Sequence, residues 1–143
     1  MLNKELIRRK ISFIQNELVY LQDLAKFSFQ EIASDYMKEH TLERILEKII
    51  NPAIDINQHI IAQLAPKEMA PPKDYKETFP KVAELGVYPK EFGESISKSV
   101  GTRNALVHEY DDIDYSKIYS SIDECLREYH QYCDFILKFI EKE

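Results

Sequence analysis

The chain has 143 residues, 44% of them hydrophobic, which suits one compact domain with its own core. It contains only 3 Gly, 6 Pro and no Trp, a composition that favours an all-α fold over a turn-rich β fold. The formal net charge of −6 excludes bulk electrostatic binding to DNA or to an anionic membrane, because phosphate binding needs clustered Lys and Arg.

The first predicted helix spans residues 2–29. One stripe of apolar residues recurs at steps of four and three, and consists of Ile7, Ile11, Ile14, Leu18, Leu21 and Ala25. A second stripe consists of Leu6, Phe13, Tyr20 and Leu24. Because the two stripes together form an apolar face wider than one partner helix would cover, we expect this helix to pack against two neighbours.

The N-terminal residues also indicate where in the cell the protein is located. Charged residues interrupt the first 20 positions, which therefore lack the apolar core of a secretion signal. No apolar run approaches the roughly 18 residues that a membrane span requires. We expect a cytoplasmic protein that does not bind membranes.

The second predicted helix spans residues 36–65 and contains an interior proline. Its apolar positions are Leu42, Leu46, Ile49, Ala53, Ile56, Ile60 and Leu64. Pro52 removes one backbone hydrogen bond and costs roughly 3 kcal/mol unless the helix bends. We expect a kink near Asn51.

Three further helices are predicted after a proline-containing loop at residues 66–74. The third helix, 74–85, ends at Gly86, the fourth runs from 89 to 110, and the last runs from 115 to 141 with Asp114 as its cap. The sequence thus predicts one domain over residues 1–143. We expect a five-helix antiparallel bundle, in which the three longest helices form the core and the two shorter ones pack alongside.

The metal-binding residue types do not form a recognisable site in the sequence. Cys125 and Cys133 lie eight residues apart in one predicted helix, about 12 Å along its axis, which is too far for a disulfide. They are predicted to be buried, reduced thiols. The four His residues have no zinc-type spacing, so we expect neither a metal nor another cofactor.

The fourth predicted helix changes character at Gly101, where a glycine costs up to about 1 kcal/mol relative to Ala. A polar cluster follows, consisting of Arg103, Asn104, His108 and Tyr110. Histidine can exchange a proton near neutral pH, and an arginine fork can hold two phosphate oxygens. RNA brings its own nucleophile, the 2′-hydroxyl. These residue types suit metal-free phosphodiester cleavage, with Asn104 orienting the imidazole or binding phosphate.

Helical geometry complicates this interpretation. Asn104 and His108 fall on one face, whereas Arg103 and His108 are separated by about 140°. Both reach one substrate only if the helix bends near Gly101, the arginine reaches around, or a second copy completes the site. The residues alone also allow a purely structural role at the surface or at a helix end, with Tyr110 as a core or rim aromatic.

A family resemblance starts from the same residues. The motif Arg103-Asn104-x-x-x-His108-x-Tyr110 resembles the Arg-x4-His-x-Tyr signature of HepT-like toxins in the HEPN superfamily. The similarity extends to residues 53–61, to the turn at 86–89 and to the five-helix layout, so it covers most of the chain.

The resemblance implies a homodimer in which the motifs of two subunits face one cleft and act as a metal-independent RNA endonuclease on tRNA or mRNA. It implies that Arg103 and His108 are catalytic, that Asn104 supports them, and that the products are a 2′,3′-cyclic phosphate and a 5′-hydroxyl. The implied partner is an MntA-type nucleotidyltransferase antitoxin, in a type VII-like toxin–antitoxin system. The partner attaches AMP to the motif tyrosine, here Tyr110.

One departure and two alternatives accompany this resemblance. Asp111, Asp112 and Asp114 follow the motif and would repel RNA phosphates, unless they point away or dock a basic antitoxin surface. His59 matches a family position but is interpreted as a packing or supporting residue. The alternatives are a non-catalytic nucleotide-binding or adaptor module that partners a nucleotidyltransferase, and a plain helical interaction protein.

Overall fold

The computed structural model describes residues 1–108 and 115–143, and the side chains of these residues except at 107 and 108. Over these ranges the chain is all-helical and no strand is present. The helices are α1 (Lys4–Leu24), α2 (Phe29–Ala33), α3 (Tyr36–Leu64), α4 (Thr78–Glu84), α5 (Lys90–Ile96), α6 (Ser99–His108), α7 (Tyr115–Ser120) and α8 (Ile122–Lys142).

The three longest helices, α1, α3 and α8, form the centre of the fold. Helix α1 packs against both α3 and α8, as its sequence predicts. The first apolar stripe of α1 is buried from Ile7 to Leu21, but Phe13 and Tyr20 of the second stripe are 43% and 55% exposed. The second stripe therefore does not widen the buried face as expected.

The predicted five-helix count is not confirmed. Over the described residues there are eight helices, because two predicted helices are each divided in two and α2 is an additional helix that follows the first one. The first predicted helix, 2–29, ends at Leu24, and a turn follows it. Ser28 then begins α2 with a capping box, in which Ser28 and Glu31 exchange hydrogen bonds. The last predicted helix, 115–141, is interrupted at Ser121, whose hydroxyl donates to the Ile118 carbonyl at 2.7 Å. Side-chain hydroxyls thus compete with the helical ladder at such breaks.

The predicted fourth helix, 89–110, breaks at Ser97 and Lys98 rather than at Gly101. The Ser97 hydroxyl donates to the Glu94 carbonyl at 2.6 Å, and the Ser99 hydroxyl donates to the Ile96 carbonyl at 2.7 Å. These bonds accompany the end of α5, and α6 begins at Ser99 with Gly101 inside its first turn.

Helix α3 matches its predicted range of 36–65 to within one residue and continues through Pro52. Asp35 caps it by accepting from the backbone N–H of Met37 at 3.0 Å. The kink expected near Asn51 stays a prediction. Gly86 follows α4 with φ of +88°, the left-handed conformation predicted for the residue after that helix.

A buried polar network joins three helices. The Tyr132 hydroxyl of α8 donates to Asn57 Oδ1 of α3 at 2.7 Å, and Asn57 Nδ2 donates to Thr78 Oγ1 of α4 at 3.1 Å. All three side chains are buried, so the network fixes how α4 sits on the long helices.

Both cysteines are free and buried, as predicted. Burial raises the pKa of each thiol, Cys125 and Cys133, to about 12. Among the described helices, none has the length and apolarity needed to cross a membrane.

Candidate active site

Helix α6 carries Arg103 and Asn104 on its outer side and is anchored to the core by apolar residues. Val100 and Leu106 are buried, and α6 packs against α3. Between these anchors, Arg103 is half-buried and Asn104 is exposed. The buried apolar positions of α6 therefore leave Arg103 and Asn104 on its outer side.

The first turn of α6 is tied to α8 by a buried hydrogen bond. The Ser99 hydroxyl lies 2.6 Å from the Tyr129 hydroxyl. Next to this pair, the Ser95 hydroxyl donates to the Glu128 carboxylate. Burial raises the pKa of the Glu128 carboxyl, and the Ser95 hydrogen bond opposes that shift. The position of the motif helix thus depends on α8.

Three neighbours orient the Arg103 side chain. Its Nε donates to Asn51 Oδ1 of α3 at 3.0 Å, and its Nη1 donates to Asn104 Oδ1 at 3.1 Å. Its guanidinium carbon lies 5.2 Å from the centroid of the Tyr75 ring. Of the five N–H donors of a guanidinium, the described residues engage two, which leaves the rest for an anion.

An open cleft of about 410 Å³ lies at this arginine. It is bounded by α6 and by the chain that precedes α4, and its lining residues are Asp74, Tyr75, Lys76, Val100, Gly101, Arg103, Asn104 and Ala105. Asp74 Oδ1 accepts the backbone N–H of Glu77 at 2.9 Å. The cleft thus contains two cationic side chains, an aromatic ring and one carboxylate that is already engaged.

The structure brings together two of the four residues predicted for the site, Arg103 and Asn104. His108 is the last residue of α6, one helical turn after Asn104, and its side chain lies outside the described residues. Tyr110 lies outside them as well, and so do Asp111, Asp112 and Asp114. The predicted separation of Arg103 from His108 therefore stays a prediction.

Two residues at the site were missed by the sequence reasoning, Asn51 and Tyr75. Asn51 is a polar residue between Ile50 and Pro52 in an otherwise apolar segment of α3, and this polarity is the signal that could have identified it. Tyr75 lies within the range predicted for the third helix, 74–85, but the structure begins α4 only at Thr78, so Tyr75 precedes the helix. His59, predicted to be a packing residue, accepts the backbone N–H of Asn3 at 2.9 Å and so fixes the start of α1.

The chain is similar to a known protein family and to two characterised relatives. The family model described as Ribonuclease HepT-like matches residues 14–136. The chain is 32% identical over 129 residues to the tRNA nuclease HepT of Aphanizomenon flos-aquae, covering 89% of this chain and 84% of that relative. It is 22% identical over 132 residues to the mRNA nuclease HepT of Shewanella oneidensis, covering 92% and 96%.

A solved structure shares the fold. The tri-AMPylated Shewanella oneidensis HEPN toxin, in complex with an MNT antitoxin, superposes with a TM-score of 0.80 at 21% identity. The superposition covers 96% of this chain and 99% of the toxin. The all-helical architecture described above is therefore that of the HEPN toxin.

Proposed function

Because this chain belongs to the Ribonuclease HepT-like family, we propose that it is the toxin endoribonuclease of a type VII-like HEPN and nucleotidyltransferase toxin–antitoxin system. The observation that carries the proposal is Arg103, which is oriented by Asn51 and Asn104 at an open cleft with N–H donors left for an anion. The helix that carries this arginine ends at His108, the residue type that can move a proton at neutral pH.

In the proposed reaction the 2′-hydroxyl of RNA attacks the adjacent phosphorus. His108 takes the proton of that hydroxyl and returns a proton to the departing 5′-oxygen. The bond from phosphorus to the 5′-oxygen breaks as the bond to the 2′-oxygen forms, which gives a 2′,3′-cyclic phosphate and a 5′-hydroxyl. Arg103 stabilises the negative charge on the phosphate oxygens, and Asn104 holds the guanidinium in place.

This mechanism needs no metal ion, because RNA supplies the nucleophile and Arg103 supplies the positive charge. We expect the purified protein to cleave tRNA or mRNA equally well with and without EDTA. Arg103→Ala and His108→Ala should each lower the rate about 10²- to 10⁴-fold. His130→Ala, at an exposed position of α8, is the matched control and should cleave normally. Failure of the unmodified protein to cleave any RNA would contradict the proposal.

We further propose that two copies share one cleft, since Arg103 and His108 are about 140° apart on a regular helix. An Arg103→Ala chain mixed with a His108→Ala chain then regains part of the lost cleavage, because the mixed dimer contains one intact residue of each type. Light scattering should report a dimer. A fully active monomer would contradict the shared site.

The proposed partner is an MntA-like nucleotidyltransferase that attaches AMP to Tyr110. The tri-AMPylated state of the structurally similar toxin supports this assignment. Co-expression with such an enzyme should raise the mass of the chain in multiples of AMP and abolish cleavage, and Tyr110→Phe should prevent both changes. We propose a cytoplasmic location, which suits the proposed RNA substrate and nucleotidyltransferase partner. Binding to the nucleotidyltransferase without any RNA cleavage would favour the non-catalytic adaptor instead.

A further inference from the structure

Tyr75 is exposed and lies next to the proposed catalytic arginine. Its side chain is 44% exposed and lies outside the buried core of the described residues. One side of the ring meets the Arg103 guanidinium, at 5.2 Å from the ring centroid. A large aromatic side chain that stays 44% exposed leaves apolar surface beside Arg103 on which a ligand can pack.

The backbone beneath the ring is anchored to the core. The Tyr75 carbonyl accepts the Thr78 hydroxyl at 2.6 Å, and Thr78 is itself bonded to the buried Asn57. The preceding residue, Asp74, accepts the Glu77 backbone N–H and begins the turn into α4. The ring is therefore exposed on a preorganised support, which lowers the entropic cost of binding a ligand there.

Gly101 leaves open space in the same cleft. It lies in the first turn of α6, and a Cβ atom at this position would contact nothing within 4 Å in the described part of the chain. Neither packing nor backbone conformation in that part requires a glycine, although glycine weakens a helix. The bare backbone lets a ligand approach α6 closely beside Arg103.

The chemistry of the cleft matches one nucleotide of a single strand. Arg103 and Lys76 supply positive charge, Tyr75 supplies a stacking surface, and Gly101 supplies room for a sugar-phosphate backbone. Proteins bind unpaired RNA through this combination of cations and aromatic rings.

We propose that Tyr75 is an RNA-binding residue whose ring stacks on an unpaired base next to the phosphate held by Arg103, and that Gly101 keeps the path of the RNA backbone open. This inference rests on the proposed ribonuclease function and names the form of its substrate at the site. It implies that the enzyme cleaves unpaired segments of RNA rather than continuous duplex.

The test measures binding of a short single-stranded RNA that contains 2-aminopurine, whose fluorescence falls on stacking. His108→Ala protein is used throughout, so that the RNA is not cleaved. Adding Tyr75→Ala should weaken binding about 5- to 150-fold, the contribution of one stacked base, and abolish the quenching. Tyr75→Phe should retain both. Tyr36→Ala removes a ring at the start of α3 that is 71% exposed, more than the 44% of Tyr75, and is the control, with no change expected.

Gly101→Ala separates binding from folding. We expect this variant to melt at a higher temperature, because Ala favours a helix, and yet to bind and cleave RNA less well. Loss of RNA affinity together with a gain in stability is not the signature of a folding defect.

The outcomes distinguish this inference from the function on which it rests. If the unmodified protein cleaves RNA while Tyr75→Ala binds and quenches like the Tyr36→Ala control, the stacking inference is wrong and the ribonuclease function stands. If Tyr75-dependent quenching occurs without cleavage by the unmodified protein, the inference is supported and the catalytic proposal fails. If the chain binds no single-stranded RNA, both fail.

Discussion

At the scale of single residues, the chemistry of the site depends on how the Arg103 side chain is oriented. A free arginine side chain samples many rotamers, so it stabilises a phosphate best when its guanidinium is held in one orientation. Asn51 provides an acceptor from α3, and Asn104 provides a second from α6 itself. The motif residue Asn104 was found from the sequence, whereas Asn51 is 52 positions from its partner and was not.

Replacement of Asn51 tests this orienting contact. Asn51→Leu removes the acceptor of the Arg103 Nε donor and should lower the rate of RNA cleavage about 10- to 100-fold, the equivalent of one hydrogen bond to a charged group. Asn51→Asp keeps the acceptor oxygen and should retain the larger part of the activity. Single-turnover rates measure the effect, and thermal melting confirms that both variants fold. An unchanged rate for Asn51→Leu would show that Arg103 is oriented by other contacts.

At the scale of elements, the chain uses serine and glycine to set helix ends. Serine hydroxyls at 97 and 99 accompany the break between α5 and α6, where the sequence predicted one uninterrupted helix. Periodicity continued across this break, because apolar spacing reports which residues face the core and not whether the backbone turns. Gly86, by contrast, was correctly predicted after α4, since a left-handed residue at a helix end is a local requirement.

Two glycine substitutions should change stability in opposite directions. Gly86 has φ of +88°, so Gly86→Ala should destabilise the fold by about 1–2 kcal/mol, even though a Cβ atom there meets no neighbour within 4 Å. Gly101→Ala adds the same methyl group to a helical residue that is equally unobstructed, and should stabilise the fold by up to about 1 kcal/mol. Urea unfolding measures both values. Equal effects at the two positions would contradict the role assigned to the backbone conformation.

At the scale of the whole molecule, the long helix α3 belongs to the core and also supports the site. Its Asn51 accepts a hydrogen bond from Arg103, and its buried Asn57 connects α8 to α4. The segment with Tyr75 enters α4 from the cleft side. The polar network in the core and the geometry of the cleft are thus parts of one arrangement.

Tyr132→Phe tests the network without removing its ring from the core. Loss of the hydroxyl leaves Asn57 Oδ1 buried without its Tyr132 partner, and we expect a decrease of about 1–3 kcal/mol in the free energy of unfolding. The control Tyr20→Phe, at a ring that is 55% exposed, should change it little. Equilibrium unfolding in urea distinguishes the two. If both variants unfold at the same urea concentration, the network contributes no measurable stability.

The sequence by itself determined the all-α class, the extent of α3, the buried stripe of α1 and the motif around Arg103. These features depend on local rules, namely apolar periodicity, helix-end residues and the order of side chains along one helix. Only the tertiary structure decided that Asn51 and Tyr75 meet Arg103, that Gly101 faces an open cleft, and that Phe13 and Tyr20 stay exposed. The reason is physical. Contacts between residues far apart in sequence depend on how helices pack, and the pattern within one helix does not encode which residues its neighbours bring to it.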